Sequence, residues 1–206
     1  MLYGLAGAQR TGKSTLALAI SQSLSISYVP FPTAEIGRKH GFNVVGDMFL
    51  QQRIQLQAVL LEEYLVFIST LERPAIIDRT PLDIAAYLLG EIAMNSHALV
   101  TDEYLEAAER LKEIAIKATA EHFDYVFVLG QLDTYEAAEG KPAPNRVYQS
   151  HIQLLIEGMI ARLKNRVNYA TVGVTDKEER IEFVEGAIVE RMDELEKQRK
   201  TTLYIH

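Results

Sequence analysis

Gly7-Ala8-Gln9-Arg10-Thr11-Gly12-Lys13-Ser14 is the stretch of this chain whose residue types and spacing most directly imply chemistry. It fits the phosphate-binding pattern Gly-x-x-x-x-Gly-Lys-Ser in full. Gly7 and Gly12 permit backbone angles that turn several N–H groups inward as an anion nest. A helix opening at Lys13 aims its positive dipole end at the same place. Lys13 then reaches the β- and γ-phosphates of a nucleoside triphosphate, and the Ser14 hydroxyl serves a magnesium ion. A chance match in a chain of this length is roughly one in a hundred. The flanking context, an apolar strand before and an amphipathic helix after, adds weight. Arg10, Thr11 and Thr15 complete the candidate cofactor-binding set. A solvated arginine and a packing or capping threonine are the competing readings for Arg10 and Thr15.

Phosphoryl transfer on such a loop needs a carboxylate at a strand end to organise magnesium or its waters. Ile76-Ile77-Asp78-Arg79 supplies one after an apolar run, so Ser14 and Asp78 are the expected metal-site pair. Asp124 opens its strand and falls at the opposite edge of a parallel sheet. An ordinary ion pair between Asp78 and Arg79 is the structural alternative.

The segment Asp78-Arg79-Thr80-Pro81-Leu82-Asp83-Ile84-Ala85-Ala86-Tyr87 resembles the thymidylate-kinase stretch Asp-Arg-aromatic-x-x-Ser-x-x-Ala-Tyr. Asp78, Arg79, Ala86 and Tyr87 match in spacing. Thr80 stands in place of the aromatic residue, and Asp83 in place of the serine. The chain as a whole is similar in element order to small AAA-type P-loop ATPases and kinases related to nicotinamide-riboside kinases. The resemblance implies a nucleoside- or nucleotide-kinase-like site. In it Asp78 acts near magnesium, and Arg79 holds the acceptor's phosphate or the transferred group. Tyr87 either stacks near the acceptor or belongs to the core.

The resemblance places the acceptor beside residues 30–38. Glu35 is a candidate base for a hydroxyl acceptor, and Arg38 suits an acceptor phosphate. A plain surface helix carrying Glu35, Arg38, Lys39 and His40 explains the same residues. Phe31 reads as core. Gln52 and Arg53 open a long helix where related kinases read a base, with helix-surface residues the default. Lys141 and Arg146 flank the Pro/Gly loop 140–145, where P-loop kinases carry a basic lid that excludes water. Thr175, Lys177 and Arg180 follow the fifth strand, either near an adenine-contacting loop or as a helix N-terminus. His40, His97, His122, His151 and His206 show no metal-ligand spacing.

The elements that must position these residues alternate as short apolar strands and longer helical patterns. Strands are expected at Leu2–Ala6, 25–31, 74–78, 124–130 and 169–174. Helices are expected at Lys13–Leu24, 49–71, 83–91, Asp102–His122, 147–166 and 176–200. The expected fold is a three-layer α/β P-loop NTPase domain over residues 1–206. Its five-stranded parallel sheet has order 2-3-1-4-5, and a lid lies around 131–150.

The chain has 206 residues, 48% of them hydrophobic, and a formal charge of −7. That balance weighs against a dedicated duplex-DNA binder. The absence of cysteine excludes disulfides and thiolate metal sites. No apolar run spans a bilayer, and no signal-peptide core precedes the loop, so a cytoplasmic protein is expected. The expected activity is ATP- and Mg2+-dependent phosphoryl transfer to a small nucleoside or (deoxy)nucleoside monophosphate. Two alternatives stand beside it: a kinase acting on a hydroxyl of a modified base in DNA, and an ATPase switch working through a protein partner. A homodimer is compatible with the sequence.

Overall fold

The computed structural model describes residues 1–44, 48–94, 100–133 and 145–203, without the side chains of residues 199 and 201–203. Lys141, His97, His206, the loop 140–144 and most of the expected lid lie outside the described residues. The order is β1 (Leu2–Ala6), α1 (Lys13–Leu24), β2 (Ser27–Tyr28), α2 (Thr33–Lys39), α3 (Leu50–Thr70), β3 (Ala75–Ile77) and α4 (Pro81–Met94). Then follow α5 (Asp102–His122), β4 (Tyr125–Leu129), α6 (Arg146–Ala161), β5 (Asn168–Val172) and α7 (Lys177–Leu203). The sheet order β2-β3-β1-β4-β5 is the one expected, and every pairing is parallel.

Side-chain alternation along the strands divides the core into two layers. Leu2 and Ala6 of β1, Ala75 and Ile77 of β3, and Val126 and Val128 of β4 face one cluster, with Leu60, Tyr64, Ile84 and Ile156 from the helices. Tyr3, Leu5, Ile76, Phe127 and Leu129 face the other, against Leu16 and Ile20 of α1 and Val184 and Ile188 of α7. The central strands are therefore covered on both faces, as their unbroken apolar runs require. All five strands run the same way, so β1, β3 and β4 deliver their following residues to one edge.

Several boundaries differ from expectation, three of them for identifiable reasons, and one helix is added. β2 keeps two of the seven expected residues. Ser25 takes a left-handed turn at the end of α1 (φ 53°), and Pro30 and Pro32 lack N–H donors beyond it. α4 opens at Pro81 rather than Asp83, because proline is well suited to a first helical position. α6 ends at Ala161; the chain then turns through Asn165, at φ 69°, instead of remaining helical to 166. Residues 33–39 form α2, the surface-helix alternative for that segment.

Candidate active site

The loop between β1 and α1 has the backbone its glycines allow. Gly7, Arg10 and Gly12 all lie at positive φ, at 150°, 59° and 84°. For a bulky residue such as Arg10 that conformation costs of order 1 kcal/mol. A Cβ on Gly7 would come within 2.9 Å of the Leu129 carbonyl oxygen. Thr11 is fully buried and donates to the Ala8 carbonyl at 3.0 Å, so it shapes the loop from inside. Ser14 and Thr15 are exposed at the start of α1.

Lys13 folds back along the loop. Its ammonium donates to the Gly7 and Ala8 carbonyls at 2.6 and 2.7 Å. Burial pushes it down to about 8, against the opposing field of Asp83. Asp83 itself is buried: one carboxylate oxygen accepts from the Gly7 N–H at 3.2 Å and lies 3.9 Å from the Lys13 nitrogen. The other accepts from the Thr80 N–H and hydroxyl at 2.8 and 2.7 Å. Burial raises its carboxyl, with the Lys13 charge pulling the other way.

β3 delivers Asp78 to the same edge. Ser14 donates its hydroxyl to Asp78 Oδ2, and the Tyr28 phenol at the end of β2 donates to the same oxygen at 2.9 Å. Asp78 therefore contacts the phosphate loop and does not pair with Arg79; among the described residues no ion pair joins those two. A serine hydroxyl touching a carboxylate is a hard oxygen donor set, and it fits magnesium held with waters and phosphate oxygens. Asp124 accepts from the Leu2 N–H at 2.7 Å, at the opposite edge of the sheet.

Arg79 sits with its guanidinium 5.9 Å from the Tyr87 ring centroid. Tyr87 in turn donates to the Gln9 side chain at 2.8 Å, so it borders the loop and is only half-buried. A further cluster lies beyond it. The Tyr87 and Tyr148 rings are 6.3 Å apart, Tyr148 donates to Glu91 at 3.3 Å, and Glu91 pairs with Arg53 at 3.1 Å.

The remaining expected residues are placed less directly. Glu35 and Arg38 are exposed on α2, and Arg38 donates to the Ala34 carbonyl at 3.3 Å. Gln52 accepts from the Phe49 N–H at 3.0 Å and so caps α3. Arg146 donates to the Asp133 carbonyl at 2.7 Å. Phe31 is core, edge-on to Tyr64 with ring centroids 4.9 Å apart. Arg180 faces the back of the phosphate loop, donating to the Thr11 carbonyl at 2.7 Å and the Gly130 carbonyl at 3.0 Å.

Several contributors escaped the sequence reading. Gln149 donates to the Gln9 carbonyl at 2.7 Å, and Gln153 accepts from the Ala8 N–H at 3.0 Å. Both glutamines are buried, four residues apart on α6, and that spacing within an apolar helix face was the available signal. Asp83 had a signal too: Thr80-Pro81-Leu82-Asp83 is a helix-start pattern with proline at the first helical position. Tyr28 had none, because its partner is 50 residues away in the chain.

A parallel sheet of order 2-3-1-4-5, a phosphate loop after its central strand and a carboxylate after the neighbouring strand define a P-loop nucleotide-kinase fold. No protein-family model and no curated protein matches the chain. Solved structures do. Thymidylate kinase from Candida albicans superposes with a TM-score of 0.66 at 15% identity, covering 93% of this chain and 92% of that one. Deoxyadenosine kinase from M. mycoides with bound dATP gives 0.62 at 16% identity, covering 91% and 99%. NadR in complex with NAD and AMP-PNP gives 0.58 at 13% identity, covering 92% of this chain and 49% of the longer one. Among the described residues no helix is long and apolar enough to cross a membrane.

Proposed function

We propose that this protein is an ATP- and Mg2+-dependent phosphotransferase whose acceptor is a small nucleoside or (deoxy)nucleoside monophosphate. The observation that carries the reading is the contact of Ser14 with Asp78, which joins the phosphate loop to the end of β3. The fold shared with deoxyadenosine and thymidylate kinases supports a kinase over a motor or switch.

In this reading Lys13 leaves the Gly7 and Ala8 carbonyls and meets the β- and γ-phosphates, while the inward N–H groups of the loop hold the remaining charge. Ser14 and Asp78 would hold the magnesium ion, which would supply neutralisation of charge on the phosphate oxygens. Arg79, on the acceptor side of Asp78, neutralises the transferring group or an acceptor phosphate. A hydroxyl acceptor attacks the γ-phosphorus, its proton passes to Glu35, and ADP departs. An acceptor phosphate carries a ready oxygen anion, needs no base, and engages Arg38 instead. Arg146 covers the transferring phosphate and helps exclude water. The enzyme works chiefly by positioning and charge stabilisation.

The test is incubation with γ-labelled ATP, Mg2+ and a panel of nucleosides, nucleoside monophosphates and DNA bearing a hydroxylated base. Label should appear on one class of free nucleoside or nucleotide, and a Lys13→Ala variant should abolish it. Label released only as inorganic phosphate would refute the kinase reading. Label confined to DNA would replace the small acceptor with a base in a polymer.

A further inference from the structure

The Tyr28 phenol shares an acceptor with Ser14. Both hydroxyls donate to Asp78 Oδ2, while Oδ1 accepts no hydrogen bond among the described residues. Tyr28 ends the edge strand β2 and is paired with Ile76, two residues before Asp78, so the strand register brings its side chain level with the carboxylate. Its ring packs against the core layer beneath the sheet, which anchors it independently of the hydroxyl.

Two O–H donors on one oxygen fix the rotation of a carboxylate group. Oδ2 is then committed to the protein, and Oδ1 is left for the metal or its water. Groups that orient a metal-site carboxylate in this way usually tune metal affinity, and their removal costs about 10–100-fold. We propose that Tyr28 is a positioning residue for the magnesium site, holding Asp78 so that its second oxygen serves the ion that Ser14 also holds. The inference rests on the reading of Ser14 and Asp78 as the metal pair.

Tyr28→Phe removes the hydroxyl and keeps the ring. The readout is the affinity for AMP-PNP by calorimetry, with EDTA and with excess Mg2+, because the ratio of the two affinities is the coupling between metal and protein. Wild type should bind more tightly with metal, and Ser14→Ala should lose most of that gain. Tyr28→Phe should lose about tenfold of it, at the lower end of the range because a single hydrogen bond is removed. Its metal-free affinity and its melting temperature should stay close to wild type.

A Tyr28→Phe gain equal to wild type, with the Ser14→Ala gain lost, would overturn the role of Tyr28 and leave the metal pair standing. Equal losses with and without metal would assign Tyr28 to the fold and overturn the proposal. A wild-type affinity indifferent to Mg2+, or a Ser14→Ala variant with the full gain, would overturn the metal pair itself and this inference with it.

Discussion

Arg180 lies behind the phosphate loop, and replacing it with methionine keeps most of its aliphatic stem while deleting its guanidinium. The residue is 3% exposed, and its head donates to three backbone carbonyls: Thr11 at 2.7 Å, Gly130 at 3.0 Å, and Val174. These belong to the loop and to the residues just past β4 and β5. A hydrogen bond from a charged donor contributes about 1.5–3 kcal/mol. Three on one head are not additive, and water entering the vacated space replaces some of them. The expected loss is therefore about 3–4 kcal/mol, well below the naive sum. For a domain of this size each kcal/mol moves the midpoint by about 2–4 °C, so Arg180→Met should melt about 10 °C lower. Thr11 precedes Gly12 and Lys13, so releasing its carbonyl should also weaken AMP-PNP binding by about tenfold, the equivalent of about 1.4 kcal/mol. Scanning calorimetry and titration calorimetry read the two effects separately. A variant that melts within about 2 °C of wild type and binds AMP-PNP equally well would refute the claim that Arg180 braces the loop.

Three further outcomes follow from the same geometry. Lys13 titrates near 8 in the fold and near 10.5 when unfolded, so between those values the unfolded chain holds more protons and stability rises with pH. At about 1.4 kcal/mol per pH unit the rise is up to about 3 kcal/mol. A Lys13→Met variant should lack it, and parallel stability–pH curves from urea unfolding at pH 7.5 to 10.5 would count against the buried ammonium. Glu35→Gln should lower turnover at least about a hundredfold if the acceptor oxygen is a hydroxyl, the usual scale of general-base catalysis. A monophosphate acceptor should be phosphorylated at the wild-type rate in the same steady-state assay. Gly4→Ala would place a Cβ 2.6 Å from the Phe123 ring and 2.7 Å from the Thr80 methyl, costing about 1–3 kcal/mol through overpacking. Thermal unfolding should show it, and an unchanged midpoint would mean the core yields there without strain.

The parts of this molecule that the sequence makes legible are those with local grammar. Leu2–Ala6, Lys13–Leu24 and Asp102–His122 coincide with the expected elements, because an apolar run, a glycine loop and a Thr101 cap each act within a few residues. Ser14 and Asp78 meet because the sheet order places the ends of β1 and β3 side by side. β2 is shorter than its apolar run because edge position and flanking prolines matter more there than β-propensity. Arg180 carried the opposite difficulty: a charged residue in the first turn of a helix normally reads as solvated. Only its descent onto three carbonyls from separate segments, 50 and 169 residues away for two of them, reveals a structural cation.

The two positions at which the chain departs from the thymidylate-kinase pattern are Thr80 and Asp83, and they are each other's partners. Thr80 donates its N–H and its hydroxyl to one Asp83 oxygen, while Pro81 occupies the first helical position between them. The pair forms half of a capping box, so one carboxylate oxygen is spent closing the start of α4. The other oxygen is thereby aimed at the Gly7 N–H and the Lys13 ammonium. A serine at position 83 could accept at one of these places but could not bring a charge to both. Thr80 and Asp83 therefore act together: the residue that closes the start of α4 is also the buried counter-charge of the phosphate-loop lysine. Such a carboxylate is costly to bury alone and tolerable only with its donors in place. Thr80 and Asp83 should accordingly behave as one unit: Thr80→Val and Asp83→Asn should each destabilise, and the double variant should cost clearly less than their sum. Additive losses in a double-mutant cycle would show that the two side chains do not act as a unit.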